Sequence, residues 1–192
     1  MLQEIFHSAR VIILSMGVCG FAYTSLTLTS ALLVAPQKRL GSLVYNQQGI
    51  PIGSLLIAQN FTRSEYLWPR PSAVDYNAAA AGGSNLSPTN VKIRERSEEI
   101  LRRFKLTSET KMPADLVTTS GSGLDPHITL EAALLQAERI AKARQVETTA
   151  IQTKLHTFAK QQKQKRLDMN DLINVLEFNL LLDNELKWVE PK

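Results

Sequence analysis

The chain is nearly devoid of cysteine. Its 192 residues hold one, Cys19, and that one lies inside an uncharged apolar stretch. The rest of the chain therefore has no disulfide and no thiolate metal site. Histidine is scarce as well: His7, His127 and His156 show no metal-ligand spacing, so no metal is expected. The Ser120-Gly121-Ser122-Gly123 run is not followed by Gly-Lys-Ser/Thr, which excludes a P-loop. The Asp-Lys-Thr-Gly sequence that carries an aspartyl phosphate is missing, as is a Gly-x-Ser-x-Gly nucleophile elbow. Net charge is only +4, and the basic run QQKQKR (161–166) has no interleaved aromatics, so nucleic acid is not an expected partner.

The most informative absence is of charge between residues 11 and 37. Arg10 precedes this stretch, and Lys38 with Arg39 follows it. As a helix it exceeds the roughly 30 Å hydrocarbon core of a bilayer, and a helix satisfies its own backbone there. A cleaved signal peptide would need a shorter run and a small residue where Leu33 stands. The expected organisation is thus a short segment (1–10), a transmembrane helix (11–35) and one soluble domain (36–192). The second half of the span carries Tyr23, Thr24, Ser25, Thr27, Thr29 and Ser30, and Gly17 and Gly20 lie earlier. Hydroxyls and glycines of this kind serve helix–helix contact, or bond back within their own helix. One basic residue before the span against two after it leans the soluble domain toward the cytoplasm by a single charge.

The soluble part reads as mixed α and β. Two apolar runs around Asn46–Gly49 predict a hairpin within 41–58. Residues 61–90 mix prolines, glycines and asparagines with Phe61, Tyr66, Trp68 and Tyr76, the composition of an ordered long loop. Ser87-Pro88 predicts the start of an amphipathic helix with Ile93, Ser97, Ile100, Leu101 and Phe104 on one face. A short strand is expected over 113–118. A helix capped by Thr129 follows the Gly-rich loop, with Glu131 in its first turn. A further helix covers about 147–160. The last element, about Asn170 to Leu186, is a docked helix whose Asn174-Val175-Leu176 start has strand character.

Three chemistries are open at Ser120–His127. The glycines and hydroxyls could cradle an anion, or the segment is a tight turn. Ser122, Asp125 and His127 have the residue types of a hydrolytic triad, although they lie within six residues where triads draw on distant segments. An anchored hydrolase and an anchored anion-binding module are therefore the alternatives to an interaction subunit.

Several short motifs occur in a characteristic order. They are Gln59-x-Phe61, Tyr66-x-Trp68-x-Arg70-Pro71-Ser72-Ala73, Tyr76-Asn77-Ala78-Ala79 and Gly82-Gly83-Ser84-Asn85-Leu86. Ser120 to Ile128, Ala141-x-Ala143-Arg144, His156-Thr157 and Asn174-Val175-Leu176-x-x-Asn179-Leu180 follow. Together they resemble the C subunit of the bacterial Kdp system, an ATP-driven potassium importer of the P-type class. The chain departs from that family at Thr24, Ala58 and Thr129-Leu130, and over 158–171.

The resemblance implies an α+β protein: one N-terminal transmembrane helix, then a single mixed α/β domain with a small sheet and several amphipathic helices. It implies a non-catalytic accessory subunit in the bacterial inner membrane, with membrane lipid around its single span. Its partners would be a channel-like potassium-translocating subunit and a P-type ATP-hydrolysing subunit. It further implies a catalytic chaperone that raises the ATP affinity of the hydrolysing partner. Gln136, with Ser120, Gly121, Ser122 and Gly123, would be the nucleotide-related positions. Tyr66, Trp68, Arg70, Asn77, Ser84, Asn85, Asp125 and His127 would lie in partner-contact loops. The family's architecture puts the soluble domain on the extracytoplasmic side, in which case effects on ATP are indirect.

Overall fold

The computed structural model describes residues 2–36, 38–46, 48–104, 111–166 and 171–185. Gln37, Asn170 and Leu186, which bound expected elements, lie outside these. The chain forms two compact units, residues 1–52 and 53–192.

The first unit begins with helix α1 (Leu2–Ser15), which runs through a π-helical stretch (Met16–Tyr23) into α2 (Thr24–Val34). Gln3–Val34 is 32 residues long, is not buried, and is long and apolar enough to cross a membrane. Helical structure thus reaches back through the short segment before Val11. The hydroxyl donors of Ser15, Thr27 and Ser30 bond back to carbonyls three or four residues earlier. Thr24 reaches five residues back, to Cys19 O at 3.4 Å, in keeping with the π spacing. This face therefore offers a neighbouring helix small side chains and lone pairs more than donors.

Strands β1 (Leu43–Tyr45) and β2 (Pro51–Ser54) form the expected hairpin. Asn46 closes its turn: its Oδ1 accepts from Gln48 N and Ile50 N, and Gly49 takes a φ of 75°.

In the second unit, α3 (Val91–Phe104) carries the expected face of Ile93, Ser97, Ile100, Leu101 and Phe104. Its cap is Asn90, whose Oδ1 accepts from Lys92 N; Ser87 and Pro88 form the turn before it. The expected strand at 113–118 is instead a helical turn, α4 (Ala114–Val117). Pro113, with φ −61°, is preset for a helix start, and Thr118 Oγ1 bonds back to Ala114 O.

Strand β3 (His127–Thr129) leads into α5 (Leu130–Leu134), and Thr129 Oγ1 accepts from Ala132 N as a cap. The chain breaks at Leu135–Gln136 before α6 (Ala137–Arg144). Gln145, left-handed at φ 56°, ends α6, and Val146 N returns to Ala141 O. Helix α7 (Thr148–Arg166) is longer than expected and takes in the basic run 161–166. Strand β4 (Leu172–Asn174) pairs antiparallel with β3, Ile128 opposite Ile173, and α8 (Val175–Glu185) follows at once.

The core sits among β3, β4 and α5–α8. Ile128, Ile140, Ile151, Leu155, Ile173, Phe178 and Leu182 are fully sealed, each worth about 1.5–3 kcal/mol of burial. Phe158 meets Phe178 edge-on at 5.4 Å. Leu67, from the long loop, is equally buried within this cluster.

Candidate functional site

The loop from Ser64 to Pro69 enters the core as an extended segment. Glu65, Leu67 and Pro69 are buried, while Tyr66 and Trp68 are partly exposed. No strand pairs with it among the described residues, so side chains satisfy its backbone. Asn179 of α8 accepts from Leu67 N at 2.7 Å and donates to Leu67 O at 3.0 Å. Gln136, just before α6, accepts from Trp68 N at 2.9 Å and donates to Trp68 O at 3.1 Å. Arg139 donates to Ser64 O and Tyr66 O, and Arg144 to Glu65 O. Arg144, buried, also reaches Leu182 O and the Asp183 carboxylate. The Tyr66 hydroxyl donates to the same carboxylate at 3.0 Å; burial first, and then this bond, raise its pKa.

Trp68 is the centre of a cationic cluster. The guanidinium carbons of Arg139 and Arg103 lie 3.4 and 3.6 Å from its ring centroid, and Phe104 packs against it at 5.5 Å. Burial, then the Arg103 charge, push the Arg139 pKa down to about 9, with Glu65 opposing; Arg139 stays cationic at neutral pH.

The Gly-rich turn lies elsewhere, against residues 72–84. Gly123, at φ +69°, has no room for a Cβ, which would stand 2.8 Å from Gly82 O. Gly82 N donates to Ser122 O, and Ser72 Oγ donates to Gly123 O while accepting from Val74 N and Tyr76 N. The N–H groups of Gly123, Leu124 and Asp125 are taken by Ser120 O, Ser122 Oγ and Ser120 Oγ. As an anion cradle the turn has these three donors already committed.

Asp125 Oδ1 accepts from His127 N and pairs with the ring Nδ1 at 3.1 Å, and Arg70 stands 3.6 Å from Oδ2. Burial alone would raise the Asp125 carboxyl; the His127 bonds and then the Arg70 charge outweigh it and hold the pKa below the ordinary value. Arg70 also donates to Thr118 O and Thr119 O, tying this turn to the end of α4. Ser122 Oγ bonds to Leu124 N and Ser120 Oγ, while the imidazole bonds to Asp125. The three residues are thus a dyad beside a turn serine.

The structure therefore separates the expected positions into two groups. Arg70, Ser84, Ser120–Gly123, Asp125 and His127 come together, since Ser84 N meets Thr119 Oγ1. An open cleft of about 610 Å³ there is lined by Leu55–Ile57, Ser120–Ser122 and His127 among others. Tyr66, Trp68 and Gln136 belong to the clamped loop at α6 and α8. Gln136 is completely buried. Asn77 caps its own turn, its Oδ1 accepting from Ala79 N, and Asn85 is left-handed at φ 52°. Asn174, at the end of β4, donates to Leu55 O and accepts from Glu177 N. Sequence reasoning assigned no role to Asn179, Asn174, Arg144, Arg139 or Arg103. The first three stood in quoted motifs; Arg139 could have been found as the cation one turn beyond Gln136.

An unburied apolar helix of spanning length, joined to a small α+β domain whose amides clamp its own loops, defines a membrane-helix-bearing α+β protein. The chain belongs to the KdpC family: the model described as "K+-transporting ATPase, c chain" matches residues 5–184. It is similar to the potassium-transporting ATPase KdpC subunits of Parvibaculum lavamentivorans and Gloeobacter violaceus. These are 41% and 40% identical over 182 residues, each match covering 95% of this chain and 97% and 96% of the relative. The KdpC subunit of Leptospira interrogans is 41% identical over 188 residues, covering 96% of this chain and 95% of the relative.

Proposed function

We propose that this chain is the non-catalytic accessory subunit of an ATP-driven potassium import complex in a bacterial inner membrane. The observation that carries this is the family match over residues 5–184. The helix Gln3–Val34 supplies the membrane anchor and a face for partner helices. The cleft at Leu55–Ile57 and Ser120–His127 supplies the surface presented to the potassium-translocating subunit. The chain raises the ATP affinity of the hydrolysing subunit indirectly, by fixing the assembly, from an extracytoplasmic domain. An indirect route is supported by Gln136, whose amide is buried and engaged with the Trp68 backbone.

The test has two parts. Limited proteolysis of intact spheroplasts should cut the soluble domain from outside; protection there, with cleavage only after lysis, overturns the placement. The purified chain should hydrolyse no ATP and move no potassium by itself. Adding it to a complex prepared without it should lower the ATP concentration needed for half-maximal hydrolysis. Hydrolysis by the chain alone, lost on Ser122→Ala, would instead establish the hydrolase.

A further inference from the structure

A second cleft, of about 500 Å³, lies between the end of α3 and α6 and is lined in part by the two arginines of the Trp68 cluster. Among the described residues its lining includes Arg103, Arg139 and Lys142 against the single carboxylate of Glu138, with Phe104 and Leu135 as apolar walls. That size suits a small organic ligand. We propose that this cleft binds an oxyanion, a phosphate or carboxylate, carried on a compact apolar body.

Three observations converge on an anion. The two arginines share one indole ring, at 3.4 and 3.6 Å, so two like charges are held close together. Glu65, the nearby acid that favours the Arg139 charge, is itself paired with Arg63 at 2.5 Å. Among the described residues Arg139 Nε is buried without an acceptor, while its two terminal nitrogens serve Ser64, Tyr66 and Gln136. A buried donor left unmade is costly, and the guanidinium of Arg103 presents a fork suited to phosphate or carboxylate oxygens. Lys142 adds a point charge at the rim, and Phe104 and Leu135 give an attached hydrocarbon or ring a dry wall. The inference stands on the cleft alone and does not depend on the transport role. The oxyanion could come from a soluble organic phosphate or from a lipid headgroup.

The test uses the full chain in phosphatidylcholine nanodiscs with Trp188→Phe, so that Trp68 alone reports. Phenyl phosphate should shift or quench Trp68 emission saturably, more tightly than inorganic phosphate. Arg103→Gln and Lys142→Gln should each weaken binding about tenfold, the scale of one charge-assisted hydrogen bond. Neither side chain bonds to the clamped backbone among the described residues, but Arg103 packs on the Trp68 ring, so the unfolding midpoint and ligand-free emission of each variant are read beside its binding. In nanodiscs containing phosphatidate, emission already shifted before addition assigns the anion to lipid; unshifted emission that still responds to phenyl phosphate assigns it to a soluble ligand. The absence of a saturable response in both arms, equal affinity for phenol and phenyl phosphate, or undiminished binding by both charge variants overturns the proposal.

Discussion

Gln136 holds both backbone polar groups of Trp68, accepting from its N–H and donating to its C=O, in a fully buried position. Arg139 adds a third bond, to Gln136 Oε1 at 2.7 Å, so the amide orientation is fixed. Gln136→Ala should therefore lower the stability of the soluble domain by about 2–4 kcal/mol, since two buried backbone groups lose their partners. Urea unfolding of the full chain in detergent checks this. A variant that unfolds like the wild type would show that the clamp contributes little.

Arg144 should not tolerate Lys. Its fork serves Glu65 O, Leu182 O and Asp183 at once, and an ammonium cannot reproduce that planar geometry. Arg144→Lys is expected to cost about 1–3 kcal/mol, and Arg144→Ala more, because the buried carbonyls are then abandoned. Thermal melts of the two variants side by side measure the difference.

The two glycines of the Gly-rich turn should respond unequally. Gly123→Ala forces a left-handed side chain against Gly82 O and should destabilise by about 1–3 kcal/mol. A Cβ on Gly121 meets nothing within 4 Å, so Gly121→Ala should stay within about 0.5 kcal/mol of wild type. Equal effects would contradict the packing of residues 72–84 on this turn.

Asp125 should contribute to acid sensitivity. Its native pKa is held below the ordinary value by His127 and Arg70, so it stabilises the fold above that ordinary value. The contribution is lost as pH falls through the lower native pKa. Asp125→Asn should lower stability at pH 7 and narrow the gap between pH 7 and pH 3, read by denaturant midpoints at both. An unchanged gap would mean the carboxylate is not differentially held.

The spanning helix, the hairpin, the face of α3 and the Thr129 cap were legible because each rests on local pattern: a charge-free run, turn residues, a 3.6 period, a hydroxyl ahead of a helix. The strand expected at 113–118 failed where periodicity cannot arbitrate a four-residue apolar run, and Pro113 settled it as a helical turn. The split of α5 from α6 at Leu135–Gln136 was invisible, because Leu130, Leu134, Ala137 and Ala141 fit one continuous stripe. The loop at 61–90 was recognised as ordered from its aromatics. What orders it was not, since Leu67 meets Asn179 across 112 positions of sequence and no short-range pattern encodes that. Arg139 had no role in the sequence reading, and only tertiary packing places it on an indole ring.

The partners of that loop all come later in the chain than the loop itself. Trp68 waits for Gln136, 68 residues on, and Leu67 for Asn179, 112 residues on. During synthesis the segment carrying Tyr66 and Trp68 thus emerges long before anything exists to hold it. Large loops close slowly, because their entropy is lost before any bond rewards it. The aromatic loop can therefore take its final seat only after both Gln136 and Asn179 have been made. A chain that stops short of α8 keeps Gln136 for Trp68 but lacks Asn179, so the backbone of Leu67 loses both bonds that seat it in the core.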